Sequence, residues 1–412
     1  MSSKLIVDQK NVKYLFQDKK ATFLIPDYQR PYAWGEDECK VLWEDLFSFS
    51  FPNNNSDSFD SSESYFLGPI VTFRNDAGKL EIIDGQQRLT TLLLLLRAFY
   101  NRLEHMQDNR SVKMREDIEK CIWRANEFGE YDPNDLKINS EVATDNDKEE
   151  FMDILRNGTS EGKSRYAVNF RYFQGRIEKF ISDYPAFFAF FPARILNNCV
   201  LLPIEAESQD TALRIFSTLN DRGKPLSDAD IFKAQLYKFY TTIGKKDEFI
   251  STWKELDELV MQIFHPYRGT PLDELFTRYM YYERALLGNR NSMTEGLRKF
   301  YEKDGYALLR KEGTLENLVL LANFWKDVYS QNEHRFSVKV LKRLFVLNYA
   351  PNSLWTYIVS VYFMHNKDEE NRLDDDKFYV LLNRLIGFIW GYAIILFVGK
   401  AADKSLKNAV DA

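Results

Sequence analysis

Residues 83–88 carry the densest set of groups that could handle a phosphate. An apolar strand precedes them and an apolar helix follows, so Asp84 would end the strand and Gly85 would permit the sharp turn. A helix that begins at about Gln86 offers free N–H groups and a positive dipole end to an anion. Arg88, in its first turn, would grip phosphate oxygens with a fixed cationic fork. These residue types predict a phosphate site.

The same segment could carry catalysis. Asp84 could hold Mg2+ or orient a water, and Gln86 and Gln87 could position that water or read a base or ribose. A helix dipole prefers acids in the first turn, so the cost of placing Arg88 there makes a bound anion more plausible. Thr90 follows as a further candidate phosphate ligand. An aspartate N-cap followed by an exposed arginine remains the purely structural alternative.

Upstream, two prolines brace an extended segment, residues 26–34, that holds Gln29 and Arg30 between aromatic residues. Arg30 could meet an anion while a neighbouring ring stacks on a base. A rigid loop whose rings cover the edge of the core is the alternative. The candidate stacking residues are Tyr28, Tyr32 and Trp34.

Downstream, residues 215–227 predict the end of one helix, a turn, and a second helix capped by Ser227. Taken alone this is a helix–turn–helix corner, and it is not evidence for a DNA-reading helix. The turn residues are Asn220, Asp221, Arg222 and Gly223.

Spacing elsewhere in the chain argues against several enzyme classes. The four histidines show no HxxxH, HxH or HNH-like spacing, and the three cysteines form no CxxC pair. A histidine-dependent nuclease, a metalloprotease, a disulfide framework and a zinc site are therefore not expected. There is no GxxxxGK[ST] or GxSxG segment, which argues against a P-loop NTPase and a serine hydrolase elbow. We expect no haem or flavin either.

Composition is that of a globular protein of 412 residues with a net charge of -6. A chain that binds nucleic acid by bulk charge is usually basic, so any DNA contact would need a local patch. The N-terminus lacks the apolar core of a signal peptide, and the apolar run at 385–399 is shorter than the roughly 20 residues that cross a bilayer. These features predict a cytoplasmic protein with no membrane partner.

The predicted elements that would position these groups divide the chain into two regions of different secondary structure. Short strands alternate with helices up to about residue 240, and helices follow nearly to the end. Residues 52–64 predict a mobile polar loop. The predicted strands lie at 22–25, 65–73, 79–83 and 199–204, with a short extended piece at 136–138. The predicted helices lie at 36–49, 86–105, 210–219, 227–240, 247–264, 271–287, 292–304, 314–330, 333–347, 352–365 and 375–399.

Taken together, residues 25–34, 65–73, 81–92 and 215–233 resemble the N-terminal domain of GmrSD-type, modification-dependent restriction endonucleases. The resemblance covers roughly residues 8–242 and its motifs are long. It implies an α+β fold in which a ParB/sulfiredoxin-like domain with a small mixed sheet, residues 1–242, contains a helical insertion at about 108–190. An all-helical domain would then occupy 243–412.

The resemblance also implies a function, residue by residue. Residues 84–88 match a DGQQR motif at the centre of a nucleotide-binding, nucleoside-triphosphate-hydrolysing site, with Mg2+ as the expected cofactor. Gln29 and Arg30 match the upstream loop, and residues 220–223 match a downstream loop whose role we do not assign. Relatives act in bacterial defence against phage DNA, often with modified bases.

Many relatives continue into a His-Asn-His-type nuclease domain with a His-x-x-Pro signature, which this sequence lacks. We therefore expect either a nuclease partner in trans or a chain truncated before that domain, and the end after residues 400–404 favours truncation as a hypothesis. The predicted function is an NTP-hydrolysing regulatory component of an anti-phage restriction system. A nucleotide-sensing or modified-DNA-sensing module that recruits or regulates a nuclease without hydrolysis is the alternative.

Overall fold

The computed structural model describes residues 5–19, 21–142, 145–219, 227–267, 269–289 and 295–410. They form two compact units, Met1–Pro225 and Leu226–Ala412. The sequence had suggested a boundary after residue 242. The structure instead gives the helix Asp228–Thr242 to the second unit, because its apolar face, including Ile231, Phe232 and Leu236, is buried in that unit's core.

A mixed sheet forms the framework of the first unit, as predicted. Its strand order is β1-β9-β4-β5-β3-β8, and β2 also pairs with β9. The neighbours β3–β5, β3–β8 and β4–β9 are parallel, whereas β4–β5 and β1–β9 are antiparallel. The strands are β1 Leu5–Val7, β2 Lys10–Asn11, β3 Phe23–Ile25, β4 Tyr65–Arg74, β5 Leu80–Asp84, β6 Trp123–Ala125, β7 Tyr131–Leu136, β8 Ile138–Ser140 and β9 Cys199–Ala206.

Eight helices of the described part of this unit surround the sheet. The third, α3, was predicted to be central because it is apolar nearly all round, and Leu89 and residues 92–96 are indeed fully buried. The helices are α1 Val12–Gln17, α2 Glu36–Ser50, α3 Gln86–Leu103, α4 Asn109–Ile122, α5 Lys148–Asn157, α6 Arg165–Asp183, α7 Phe190–Asn198 and α8 Gln209–Leu219.

The segment at about 108–190 is less separate than an insertion would be. It contributes α4, α5 and α6, but β8 joins the main sheet in parallel register with β3, pairing Phe23 with Ile138. Its two other strands, β6 and β7, form a separate hairpin. The short extended piece expected at 136–138 is thus the junction of β7 and β8.

The polar tract at 52–64 is anchored rather than unattached. Arg194 of α7 donates to the carbonyl of Ser50 and, at 2.9 Å, to the carbonyl of Ser56. Asn198 donates to the carbonyls of Ser61 and Glu63 at 2.9 and 3.1 Å. Composition indicates only that the tract has few apolar side chains to bury. It does not indicate that the backbone carbonyls of the tract accept hydrogen bonds from α7.

The second unit is helical throughout its described residues, as predicted. Its aromatic core includes Trp253, Phe276 and Trp325, all nearly inaccessible to solvent. Its helices are α9 Asp228–Thr242, α10 Lys246–Ile263, α11 Pro271–Leu286, α12 Leu297–Tyr301, α13 Thr314–Tyr329, α14 Val338–Leu347, α15 Leu354–Asn366 and α16 Asp375–Val410. Within the ranges that the structure describes, no helix combines the length and apolarity needed to span a membrane.

Candidate functional site

The turn from β5 into α3 depends on Gly85. Its φ of 95° lies in the left-handed region, and a Cβ at this position would stand 3.1 Å from Cγ1 of Ile70. Its N–H donates to Oδ1 of Asp84 at 2.7 Å, and its carbonyl accepts from Leu89 N at 2.9 Å as the first helical bond. Glycine therefore allows both the turn and the close packing of β5 and α3 against β4.

Gln87 clasps the backbone of the upstream loop. Its Oε1 accepts from the N–H of Ala33 at 2.7 Å and of Trp34 at 3.2 Å. Its Nε2 donates to the carbonyl of Pro31 at 3.3 Å. Both ends of this buried amide are engaged with the loop, so the loop and the start of α3 form one body.

Gln86 and Gln29 complete the connection. Nε2 of Gln86 donates to the carbonyl of Arg30 at 2.9 Å, and Nε2 of Gln29 donates to the carbonyls of Ile82 and Ile83, both at 3.2 Å. Oε1 of Gln86 accepts no hydrogen bond from any described residue. From residue type, the sequence predicted that these glutamines belong to the site. In the structure their amides bind backbone groups of the upstream loop and of β5, and Arg30 lies close enough to Asp84 to lower the pKa of its carboxyl.

Three charged side chains meet at this junction. Burial raises the pKa of Asp84, and the opposing pull of Arg88, of the Gly85 N–H and of Arg30 does not cancel it. Burial lowers the pKa of Arg88, with Asp84 opposing it. Arg88 donates to the carbonyl of Pro69 at 2.7 Å. Neither arginine forms a close ion pair with a described carboxylate, so the junction holds more positive than negative charge.

Arg88 also borders an open pocket of about 680 Å3. Gly68 makes room for it, because a Cβ on that residue would stand 2.9 Å from Cζ of the guanidinium. The pocket walls combine aromatic, aliphatic and acidic groups. The lining residues are Trp34, Asp37, Glu38, Val41, Leu42, Asp45, Tyr65, Leu67 and Arg88.

The three candidate stacking residues separate in the structure. Tyr28 and Tyr32 are only 5% and 4% exposed, and the ring of Tyr32 stacks on Tyr166 of α6 at a centroid distance of 4.7 Å. These two rings are therefore core residues in this structure. Trp34 is half-buried and faces the pocket beside Arg88, so it alone of the three presents a ring to a ligand there.

The remaining candidates lie deeper or outside the description. Thr90 is fully buried in α3, and its Oγ1 has no hydrogen-bond partner among the residues that the structure describes. A phosphate contact by Thr90 would need access that this conformation does not give. Asn220, Asp221, Arg222 and Gly223 fall outside the described residues.

Two supporting groups were missed by the sequence reasoning. Asn169 of α6 donates to the hydroxyl of Tyr32 and to the carbonyl of Trp34, both at 2.9 Å. No local pattern marks this asparagine, since its partners are more than a hundred residues away. Gly68 did carry a signal, because a glycine inside a strand often marks a bulge or a close approach. The β4–β9 register does shift between Phe66 and Gly68.

The clasp predicts a large loss of stability for Gln87→Ala. This change removes three hydrogen bonds and leaves the N–H of Ala33 without its partner, so we expect about 2–4 kcal/mol in the free energy of unfolding. Gln86→Ala, which removes one hydrogen bond, should cost about 1 kcal/mol. Urea denaturation of both variants measures the difference. Equal losses would contradict the clasp.

The described residues hold no group of three or more His, Cys, Asp or Glu side chains arranged for a metal ion.

Comparison with known proteins bears on identity. No curated protein matches the chain. A family model described as the N-terminal domain of the GmrSD restriction endonuclease matches residues 12–237, more than half of the chain, and this range includes the whole junction described above. The chain therefore belongs to the GmrSD restriction endonuclease N-terminal domain family.

Proposed function

We propose that this chain binds and hydrolyses a nucleoside triphosphate and thereby regulates a nuclease that acts on DNA, including modified phage DNA. The observation that carries the proposal is the junction of β5 and α3. There the guanidinium groups of Arg30 and Arg88 flank Asp84 without a close carboxylate partner for either. Membership of a restriction endonuclease family supports a role in restriction, with DNA and a nuclease as partners.

Phosphate oxygens would take the place of the missing ion-pair partners. Arg88 uses one nitrogen on the carbonyl of Pro69, and its other N–H groups are left for a ligand. Arg30 makes no hydrogen bond through its guanidinium to the described part of the chain. Two cations in a half-buried site gain more from a polyanion than they would in water, because the local dielectric is lower.

Asp84 suits the role of a base towards water. Burial raises its pKa, which makes the carboxylate a stronger proton acceptor than an exposed aspartate. The water oxygen would attack the terminal phosphorus, its proton would pass to Asp84, and the bond to the bridging oxygen would break. Arg30 and Arg88 would stabilise the charge that develops on the departing diphosphate.

Gln86 and Gln87 have different roles in this proposal. Gln87 has both amide groups bound to the loop, so it acts as a positioning residue. Gln86 keeps its Oε1 and could accept a hydrogen bond from the attacking water. In the pocket beside Arg88, the ring of Trp34 offers a stacking surface for the base.

Mg2+ fits this site only together with its nucleotide. Asp84 is the single carboxylate at the junction, and Mg2+ in phosphate-transfer sites uses one or two carboxylates with phosphate oxygens and waters. Bound in this way, the ion would neutralise charge on the phosphates. Asp84 is the residue that would hold it, in addition to accepting the proton.

Arg30→Gln tests the proposal with little structural damage, since its guanidinium has no hydrogen bond to lose. We expect kcat/KM for phosphate release, measured across a panel of ATP, GTP, CTP and UTP with Mg2+, to fall about 10- to 100-fold, the loss of one charge-assisted hydrogen bond. Arg74→Gln, at the end of β4, breaks a solvent-accessible ion pair with Glu205 of β9; it is the control and should keep wild-type activity. Unchanged activity in Arg30→Gln would show that Arg30 does not contribute to phosphate binding or hydrolysis.

The same panel, run with modified and unmodified DNA, decides between hydrolysis and sensing. Nucleotide-dependent thermal stabilisation without phosphate release would favour the non-hydrolysing module, because grip and hydrolysis need the same residue types.

A further inference from the structure

A cavity with a basic lining lies in the first unit, and none of its lining residues belongs to the β5–α3 junction. This cavity of about 590 Å3 lies between the end of α1, the end of α4 and the β6–β7 hairpin. Its charged lining is strongly positive although the chain as a whole is acidic. The charged lining residues are Lys19, Lys120, Arg124, Lys137 and Glu127.

Lys137 is the anchor of this cavity. It is only 5% exposed, and its Nζ donates to the carbonyl of Asp18 at 3.1 Å. Asp18 is the C-cap residue of α1, so its carbonyl uses one of the three N–H donors of the ammonium, and a cation is favourable at that helix end. No described carboxylate lies within ion-pair distance of the ammonium. Burial, and then the charge of Arg124, lowers the pKa of Lys137, as expected for a cation that lacks a close anion.

The two other inner cations are only weakly neutralised. Lys120 lies 4.0 Å from Asp117, but that carboxylate already binds Lys13 at 2.8 Å. Arg124 lies 3.5 Å from Asp135 in a half-exposed pair, and such pairs contribute little. Three cations therefore face one cavity: Lys120 and Arg124 each have one weak carboxylate partner and Lys137 has none among the described residues, at a cost that a bound anion would offset.

We propose that this cavity binds the terminal phosphate or diphosphate group of a small phosphorylated molecule, such as a nucleotide. The volume suits a ligand of that size. The hairpin that forms one wall also carries acidic residues, which would repel a long polyanion lying across it. These are Glu127, Glu130, Asp132 and Asp135. Of these four, only Glu127 lines the cavity, so a compact anion inside it meets one acidic residue, and the chemistry favours a small molecule over a DNA backbone.

The test counts phosphate sites in the full-length chain by isothermal titration calorimetry with inorganic pyrophosphate. The Arg30→Gln/Arg88→Gln double variant removes the junction as a binding site. In that background we expect one remaining site. Adding Lys120→Gln and Arg124→Gln should weaken pyrophosphate binding at this site at least 10-fold. Both side chains are partly exposed, so a glutamine fits at either position.

Lys113→Gln, on the exposed face of α4 outside the cavity, is the matched control and should leave the affinity unchanged. Lys137→Met, which keeps the buried stem and removes the charge, should weaken binding further. ATP in place of pyrophosphate should bind with the same dependence on Lys120 and Arg124.

Two results would overturn the proposal. One is the absence of pyrophosphate and ATP binding in the Arg30→Gln/Arg88→Gln background. The other is binding of a short DNA duplex that depends on Lys120 and Arg124 while neither small anion binds, which would make the cavity a backbone contact instead.

Discussion

Asp84→Asn is expected to reduce nucleotide hydrolysis by roughly 100-fold or more while nucleotide binding is kept, because an amide accepts no proton from the attacking water. The substitution preserves the shape of the side chain and the acceptor for the Gly85 N–H at 2.7 Å. Arg30 and Arg88 remain in place to hold phosphate. Single-turnover phosphate release and equilibrium binding of a non-hydrolysable analogue separate the two effects.

The same variant is expected to be more stable than the wild type at neutral pH. Burial raises the pKa of Asp84, so the folded state prefers the neutral carboxyl more than the unfolded state does. Between the ordinary and the raised pKa the folded chain binds more protons, and its stability therefore falls as pH rises through that window. Asparagine carries no such penalty. The stability difference should be full above the raised pKa and should close as pH falls below the ordinary value.

Thermal unfolding from about pH 3 to about pH 8, a range that extends below the ordinary pKa of an aspartate, checks this expectation in both proteins. Asp76→Asn, on the exposed turn between β4 and β5, is the control with unchanged activity. A variant with lost activity and lower stability at every pH would point to a structural role for Asp84. Full activity in Asp84→Asn would remove it from the mechanism.

The sequence predicted the frame of the site because that frame is local. A strand, a glycine and an apolar helix in succession specify where Asp84 lies and why α3 starts at Gln86. The alternation of strands and helices likewise predicted the mixed sheet. Periodicity did not predict β1, whose pairing of Ile6 with Glu205 joins residues from opposite ends of the first unit.

The sequence could not predict the partners of the polar side chains, because those partners also lie far away along the chain. Residue type indicates that a glutamine can position water or bind a backbone, but only the fold shows that Gln87 meets Ala33 and Trp34. The rings of Tyr28 and Tyr32 were equally ambiguous, since burial depends on what packs over them. The stacking of Tyr32 on Tyr166 connects the loop to a helix far along the chain.

Gly68→Ala is expected to weaken nucleotide binding although the residue carries no functional group. Its φ of 119° is a conformation that L-residues rarely adopt, and the strain should cost about 1–3 kcal/mol. The new Cβ would also stand 2.9 Å from Cζ of Arg88. Because the guanidinium must move away, we expect kcat/KM for hydrolysis to fall about 10- to 100-fold, which is the loss of one well-placed phosphate contact.

Gly78→Ala separates the two causes. Gly78 has a φ of 76°, so alanine there brings strain of about 1–2 kcal/mol, yet its Cβ would meet no atom within 4 Å. This control should lose stability and keep its kcat/KM. If both variants lose stability and neither loses activity, the position of Arg88 does not limit hydrolysis. If only Gly68→Ala loses activity, hydrolysis needs the guanidinium of Arg88 in the space that the missing Cβ of Gly68 leaves open. Gly68, and with it β4, then belongs to the site.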